Sequence, residues 1–301
     1  MWLLFAFSGP VLWAASMHID KYLVDKYFKN TNPAVLMVFT ALIGLLTLPF
    51  IWWFRPAVFG ESKTAIAVMI VSGILYMGAM LFYLQALQTE EASVVAPLFQ
   101  ASAVWGYALA YLLLGETLTR TQLAGGALIV IAGVILSLDG SMRFKRLKAG
   151  LIVRMAACTF ALALSSVIFK FFAVRDEFWS TTFWTFVGEA LFGVAILAIP
   201  VYLRQMIGLL RKNTGAIFAI NGANELINLG GGLGARYALL LAPVALVQAL
   251  TSTTTLFVFL FGVLLTVFLP SLGKEDLSMK NVLKKGGAAA LVAIGVVLIN
   301  G

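Results

Sequence analysis

The sequence predicts an all-α polytopic membrane protein with ten transmembrane helices, arranged as two inverted five-helix repeats. Hydrophobic residues make up 61% of the 301-residue chain and charged residues only 11%. Soluble globular proteins have roughly 45–50% apolar and about 25% charged residues, so a water-soluble fold could not bury this much apolar surface. Uncharged runs about as long as a bilayer is thick recur along the chain, and the two halves share small motifs in the same order.

The membrane-spanning helices are predicted from the length of these runs. A bilayer core about 30 Å thick needs about 20 helical residues, and unpaired backbone amides in lipid exclude isolated strands. The first half has five such runs: residues 1–19, 30–54, 64–89, 92–115 and 121–138. The second half is interrupted by single charges and prolines, and its predicted spans are 155–169, 178–203, 213–235, 241–270 and 286–300.

Internal similarity divides the chain into two repeats. Gly125 and Gly133 in the fifth span have the same eight-residue spacing as Gly287 and Gly295 in the tenth. An odd number of spans per half gives the second copy the opposite orientation, which is a common basis of alternating access. We therefore assign residues 1–140 to the first repeat and residues 141–301 to the second.

A glycine-glutamate turn closes the fourth span. It reads Leu113-Leu114-Gly115-Glu116-Thr117-Leu118, and Gln122-Leu123-Ala124-Gly125-Gly126 follows it. With this motif, and with Ala86-Leu87-Gln88 leading into residues 92–98, the chain resembles the ten-helix EamA-type members of the drug/metabolite transporter superfamily. The resemblance implies a multi-pass transporter of small metabolites in the plasma or inner membrane. In the second half, residues 268–275 replace the turn.

A polar helix face in the eighth span is the main candidate for a binding site. Asn221, Asn224, Glu225 and Asn228 recur at i, i+3, i+4 and i+7, on one side of a helix. Such a face cannot meet lipid. Either it lines a substrate site in which Glu225 holds an amine or carries a proton, or it belongs to a buried network with Glu225 protonated or neutralised by Lys170.

Other charged residues in or near the spans have competing interpretations. Glu189 is a second candidate for proton coupling, and a pair with Lys170 is the alternative. Lys170 and Arg236 lie near span ends, where snorkelling to the headgroups accounts for their charge. Glu116 is expected to cap the following helix or to pair with Arg120.

Further candidates for substrate contact are polar or aromatic residues within the predicted spans. For most of them, packing or interfacial anchoring is the alternative. They are Gln100, Gln248, Trp13, Tyr76 and Tyr83. The glycine-rich residues 230–234, which follow the polar face, allow a helix to bend or another backbone to approach closely.

A secondary transporter of a small metabolite is the function these features favour, with an amino acid or related compound coupled to protons through Glu225 or Glu189. The alternative is a flippase for a lipid-linked or amphipathic substrate, which needs an aromatic opening toward lipid. One histidine, one cysteine and no nucleophile motif argue against an enzyme, a metal or a cofactor. The expected partners are substrate and membrane lipids, with a homodimer as an alternative to a monomer, and no nucleic acid.

The orientation of the chain in the membrane is predicted in two conflicting ways. Loops after odd-numbered spans carry most of the Lys and Arg residues, so the positive-inside rule places both termini outside. The family resemblance implies cytoplasmic termini.

Overall fold

The computed structural model describes residues 1–23, 31–90, 92–137, 149–175, 177–268 and 278–300, except for the side chains of 92–94, 212–214, 216 and 280. Within these ranges the regular structure is entirely helical. A short 3-10 helix, Pro56–Phe59, follows the second of the α-helices. The α-helices are α1 Trp2–Leu23, α2 Pro33–Phe54, α3 Lys63–Thr89, α4 Ala92–Phe99, α5 Ala101–Leu114, α6 Arg120–Ser137, α7 Ala149–Arg175, α8 Phe178–Leu197, α9 Pro200–Leu241, α10 Val244–Thr251, α11 Thr254–Phe268 and α12 Met279–Asn300.

The described ranges contain nine segments that are long and apolar enough to cross a membrane. They include α4 with α5 and α10 with α11 as joined spans, whereas α9 is not among them. Large apolar side chains such as Trp53 (81% exposed) and Leu112 (74% exposed) point outward, as lipid-facing residues do. These features confirm a polytopic helical membrane protein, and the count of ten spans stays a prediction.

Two of the predicted spans are broken helices. The span at 92–115 is interrupted at Gln100, three residues after Pro97, and the span at 241–270 at Ser252 and Thr253. The hydroxyls of Thr251 and Thr253 donate to the carbonyls of Val247 and Leu250, at 3.1 and 2.7 Å. Such local hydroxyl bonds compete with the helical backbone pattern, which accounts for the second break.

The helix α9 is much longer than the sequence predicts. The predicted boundaries at 203 and 213 are wrong, because α8 ends at Leu197 and one continuous 42-residue helix then begins at Pro200. Proline at the first helical position needs no backbone donor, so Pro200 opens α9 readily. At 1.5 Å per residue α9 is about 63 Å long, twice the thickness of the hydrocarbon core.

Glycines set the closest helix contacts. A side chain on Gly125 of α6 would come within 2.7 Å of the Gly295 carbonyl of α12. A side chain on Gly234 of α9 would overlap Ser8 of α1. The glycine-rich run in α9 therefore allows close approach, and the helix runs through it without a break.

The packing is reciprocal between the two halves. The first helix of the first half, α1, packs on α9, and the first helix of the second half, α7, packs on α3. Two related halves would give such an exchange, and the repeat assignment stays a prediction. Its boundary at 140/141, the start of the second span at 30, the span ends at 138 and 270 and nearly all of the 268–275 turn lie outside the described residues.

Candidate functional site

The polar face of α9 is turned into the protein. Glu225 is 6% exposed, Asn221 4% and Asn224 0%, and Asn228 is half-buried. The burial expected from the polarity of this face is therefore confirmed for three of its four residues. It follows that α9 presents a carboxylate and at least two amides to neighbouring helices.

Several polar atoms of this face have no hydrogen-bond partner among the described residues. Glu225 Oε1 accepts a hydrogen bond from the Thr40 hydroxyl of α2 at 3.1 Å, whereas Oε2 accepts none, although the Asn228 amide lies close to the same carboxylate. Asn224 Oδ1 and Asn221 Nδ2 are likewise unpaired. Buried polar groups in proteins are nearly always paired, so these three atoms indicate a place where a bound molecule, an ion or water would complete the contacts.

Asp20 of α1 belongs to the same cluster. Asn224 Nδ2 donates to Asp20 Oδ1 at 2.6 Å, and Asp20 lies close enough to Glu225 for the two negative charges to repel each other. The Asp20 side chain is exposed, in contrast to Glu225. Asp20 was not among the predicted site residues, because the predicted first span ended at residue 19, whereas α1 continues to Leu23 and keeps Asp20 on the helix, one turn after Ser16.

Glu189 and Arg236 form a buried ion pair between α8 and α9. The guanidinium lies 4.8 Å from the Phe186 ring centroid and 5.7 Å from that of Tyr76. The alternative pair of Glu189 with Lys170 is wrong, and so is the snorkelling of Arg236, since these two groups neutralise each other inside the protein. Tyr76 therefore lies beside this pair.

Lys170 pairs with Glu116 instead. Lys170 also donates to the Ala242 carbonyl at 2.7 Å, and Glu116 accepts from the Val244 backbone at 2.9 Å. Lys170 thus neither snorkels nor neutralises Glu225. Glu116 caps α10, so the expected cap on the following helix and the pair with Arg120 are both wrong.

Gln100 and Gln248 mark a second polar region, at the two broken spans. Ser252 at the break in the second half donates to Gln100 Oε1 at the break in the first. Gln248 is buried against Gly106, and neither of its amide atoms has a partner among the described residues. The two breaks therefore meet, and they leave one glutamine amide unpaired.

The aromatic candidates lie in different parts of the structure. Trp13 lies on α1 against Gly231 of α9, within the helix pair that carries Asp20 and Glu225. Tyr83 packs on Phe99, with ring centroids 4.9 Å apart, in an apolar cluster that includes Cys158. Tyr83 is thus placed among apolar side chains.

A groove of about 460 Å³ lies on α2 and α8, away from the residues above. It is lined by apolar side chains and one arginine, namely Phe50, Ile51, Phe54, Arg55 and Trp179. The Arg55 guanidinium is 3.4 Å from the Glu177 carboxylate in an ion pair open to the surface. The groove contains none of the candidate site residues.

Comparisons with known proteins identify a family and a shared fold. Residues 1–138 match the EamA-like transporter family. An uncharacterized protein of Methanocaldococcus jannaschii is 30% identical over 109 residues, which cover 36% of this chain and 79% of that protein. A protein crystal structure, 17% identical, superposes with a TM-score of 0.64 over 98% of this chain and 94% of that one, which shows a shared fold. The chain therefore belongs to the EamA-like transporter family of the drug/metabolite transporter superfamily, whose members are membrane transporters of small molecules.

Proposed function

We propose that this protein is a secondary transporter of the plasma or inner membrane that moves a small metabolite, an amino acid or related compound, by alternating access. Glu225 is the substrate-binding and proton-coupling residue of this proposal. The observation that supports it is the environment of Glu225, a buried carboxylate whose hydrogen bond from Thr40 leaves Oε2 unpaired among the described residues.

Two largely buried cations of the described residues are already paired with other carboxylates. Arg236 is paired with Glu189, and Lys170 with Glu116. An ionised carboxylate inside a membrane protein is costly without a counter-charge, so Glu225 needs a proton or a cationic group of the substrate. Because the two compete for one carboxylate, binding of one favours release of the other. This competition is a simple basis for coupling transport to a proton gradient.

The remaining candidates have different parts in the proposal. The amides of Asn221 and Asn224 each have one hydrogen-bonding atom that is unpaired among the described residues and so is available to a substrate. Glu189 is held by Arg236, which favours a positioning role over proton transfer. Gln248 with its unpaired amide is the candidate of the second polar region.

The flippase alternative receives less support. It needs an aromatic path from lipid to the polar site, and the lateral groove of Phe50, Phe54 and Trp179 is separate from the face of α9.

Uptake into proteoliposomes tests the proposal. Purified protein is offered a pooled metabolite mixture with and without a pH gradient, and accumulated compounds are identified by mass spectrometry. We expect gradient-dependent accumulation over empty liposomes, and its loss in Glu225→Gln with the thermal unfolding midpoint unchanged. Glu61→Gln, outside the helices, is the matched control and should keep full uptake. Equal uptake by Glu225→Gln would remove Glu225 from the mechanism.

A further inference from the structure

We infer that Asp20 and Glu225 form a two-carboxylate cation site, with Asp20 at its entrance and Glu225 at its base, so that the substrate is an amine of net positive charge and not a zwitterion. The inference rests on the proposed function, because it assigns a substrate class to the same site.

The three side chains of the site form a series from the surface to the interior. Asp20 is exposed at the end of α1, and its Oδ1 is bonded to Nδ2 of the fully buried Asn224. Glu225, the next residue of α9, is buried beside them and is held by Thr40 of α2. A cation that reaches Asp20 from water is therefore one side chain away from the buried carboxylate.

Unpaired atoms lie at the inner end of this series. Asn224 Oδ1 and Glu225 Oε2 are acceptors with no donor among the described residues. A protonated primary amine has three donors in a compact group, which suits two carboxylates and an amide oxygen. The unpaired atoms of the site are hydrogen-bond acceptors, and the ammonium group of such a substrate supplies the donors.

The charge of the surroundings is negative. Around the two carboxylates, Arg236 is committed to Glu189, and His18 of α1 contacts the Val258 carbonyl of α11 at 3.0 Å. Lys21 of α1 and Arg211 of α9 are exposed, and neither forms an ion pair with Asp20 or Glu225. In the described part of the chain, the site therefore contains two acidic groups without a basic partner.

A zwitterionic amino acid fits this charge distribution poorly. Its ammonium and carboxylate are attached to one carbon, so binding the ammonium between Asp20 and Glu225 brings a third carboxylate to the same place. The guanidinium on the same face of α9 is that of Arg236, whose backbone is eleven residues or about 16 Å further along the helix axis and whose charge is already paired with Glu189. Like charges brought together disfavour a ligand strongly, so the site selects against the substrate carboxylate.

Matched pairs of substrates that differ only in the carboxylate test the inference. The pairs are leucine and 3-methylbutylamine, phenylalanine and 2-phenylethylamine, and lysine and cadaverine. Uptake of each compound into proteoliposomes is measured against concentration. For at least one pair we expect the amine to half-saturate at a concentration at least about tenfold below that of the amino acid.

Substitution of Asp20 separates its role from that of Glu225. Asp20→Asn keeps an acceptor for Asn224 and removes the charge, so the half-saturating concentration of the preferred amine should rise about tenfold with maximal rate retained. Glu61→Gln should leave both quantities unchanged. The unfolding midpoint of each variant shows that the fold is intact.

Each outcome decides between the two proposals. If amino acids are preferred or equal in every pair while Glu225→Gln abolishes uptake, the cation site is wrong and the proposed function stands. If Asp20→Asn leaves amine uptake unaltered, Asp20 has no part in the site. If the folded protein takes up neither these compounds nor any member of the metabolite pool, both proposals fail.

Discussion

Lys170 and Glu116 form a largely buried ion pair that joins the turn after α5 to α7. Gly115, with φ of 69°, ends α5 in the left-handed conformation that glycine favours, and so directs Glu116 away from the helix. The same two side chains bind the Ala242 carbonyl and the Val244 amide on either side of Pro243. The ion pair thus anchors the connection between α9 and α10 to Glu116 of the first half and to Lys170 of the second.

Removing one charge of this pair should be costly. Glu116→Gln leaves the Lys170 ammonium buried without its counter-charge, and we expect a loss of about 3–5 kcal/mol in the free energy of unfolding. Thermal unfolding in detergent measures the effect. Replacing both residues, as Glu116→Gln with Lys170→Met, should recover much of the loss, and a double variant no more stable than the single one would contradict this account.

The ion pairs of Glu189 and Glu177 should respond differently to the same change. Glu189→Gln strands a buried Arg236 among aromatic rings, with an expected loss of about 3–5 kcal/mol in stability. Glu177→Gln breaks the exposed pair with Arg55 and should cost less than about 1 kcal/mol. Comparison of the two unfolding midpoints checks the prediction, and equal losses would show that burial does not govern these pairs.

Adjacent glycines of α6 should have opposite effects when changed to alanine. Gly125→Ala forces α6 away from the Gly295 carbonyl, 2.7 Å from the new methyl group, and should destabilise by about 1–3 kcal/mol. Gly126→Ala meets its nearest neighbour, Leu246, at 3.8 Å and gains helix propensity, so stability should rise by up to about 1 kcal/mol. Unfolding of both variants in the same detergent gives the comparison. Similar shifts in both would argue against close packing of α6 on α12.

Substitution of Gln248 should change stability and transport in opposite directions. Gln248→Met keeps the shape of the side chain and removes two polar atoms unpaired in the described structure, so stability should rise by about 1 kcal/mol or more. Uptake should fall, because the amide is then no longer available to the substrate. An unchanged rate of uptake would assign Gln248 to packing alone.

Sequence patterns predict which face of a helix is buried, but they do not predict which other helix packs against that face. The spacing of Asn221, Asn224 and Glu225 predicted a buried face on α9, since periodicity is a property of one helix. The partner of Asn224 at Asp20 lies 204 residues earlier in the chain. No local pattern indicates such a pairing.

Charged residues near span ends were misinterpreted for the same reason. Lys170 and Arg236 have local sequences suited to snorkelling, but their carboxylate partners come from distant segments. Composition and run length were sufficient to identify a helical membrane protein, because they report on the solvent around the chain. The length of α9 was not predictable from run length, because residues 204–212, with three basic side chains, were interpreted as a loop between two spans.

The uninterrupted course of α9 restricts how the protein can open and close. Glu225 and Arg236 belong to one uninterrupted helix, so the separation of their backbones, about 16 Å along its axis, stays constant in every state that keeps the helix intact. In the proposed alternating access, we therefore expect α1, α2 or α8 to slide against this helix. In that proposal α9 is the stationary element, and α1, α2 and α8 move Asp20, Thr40 and Glu189 relative to it.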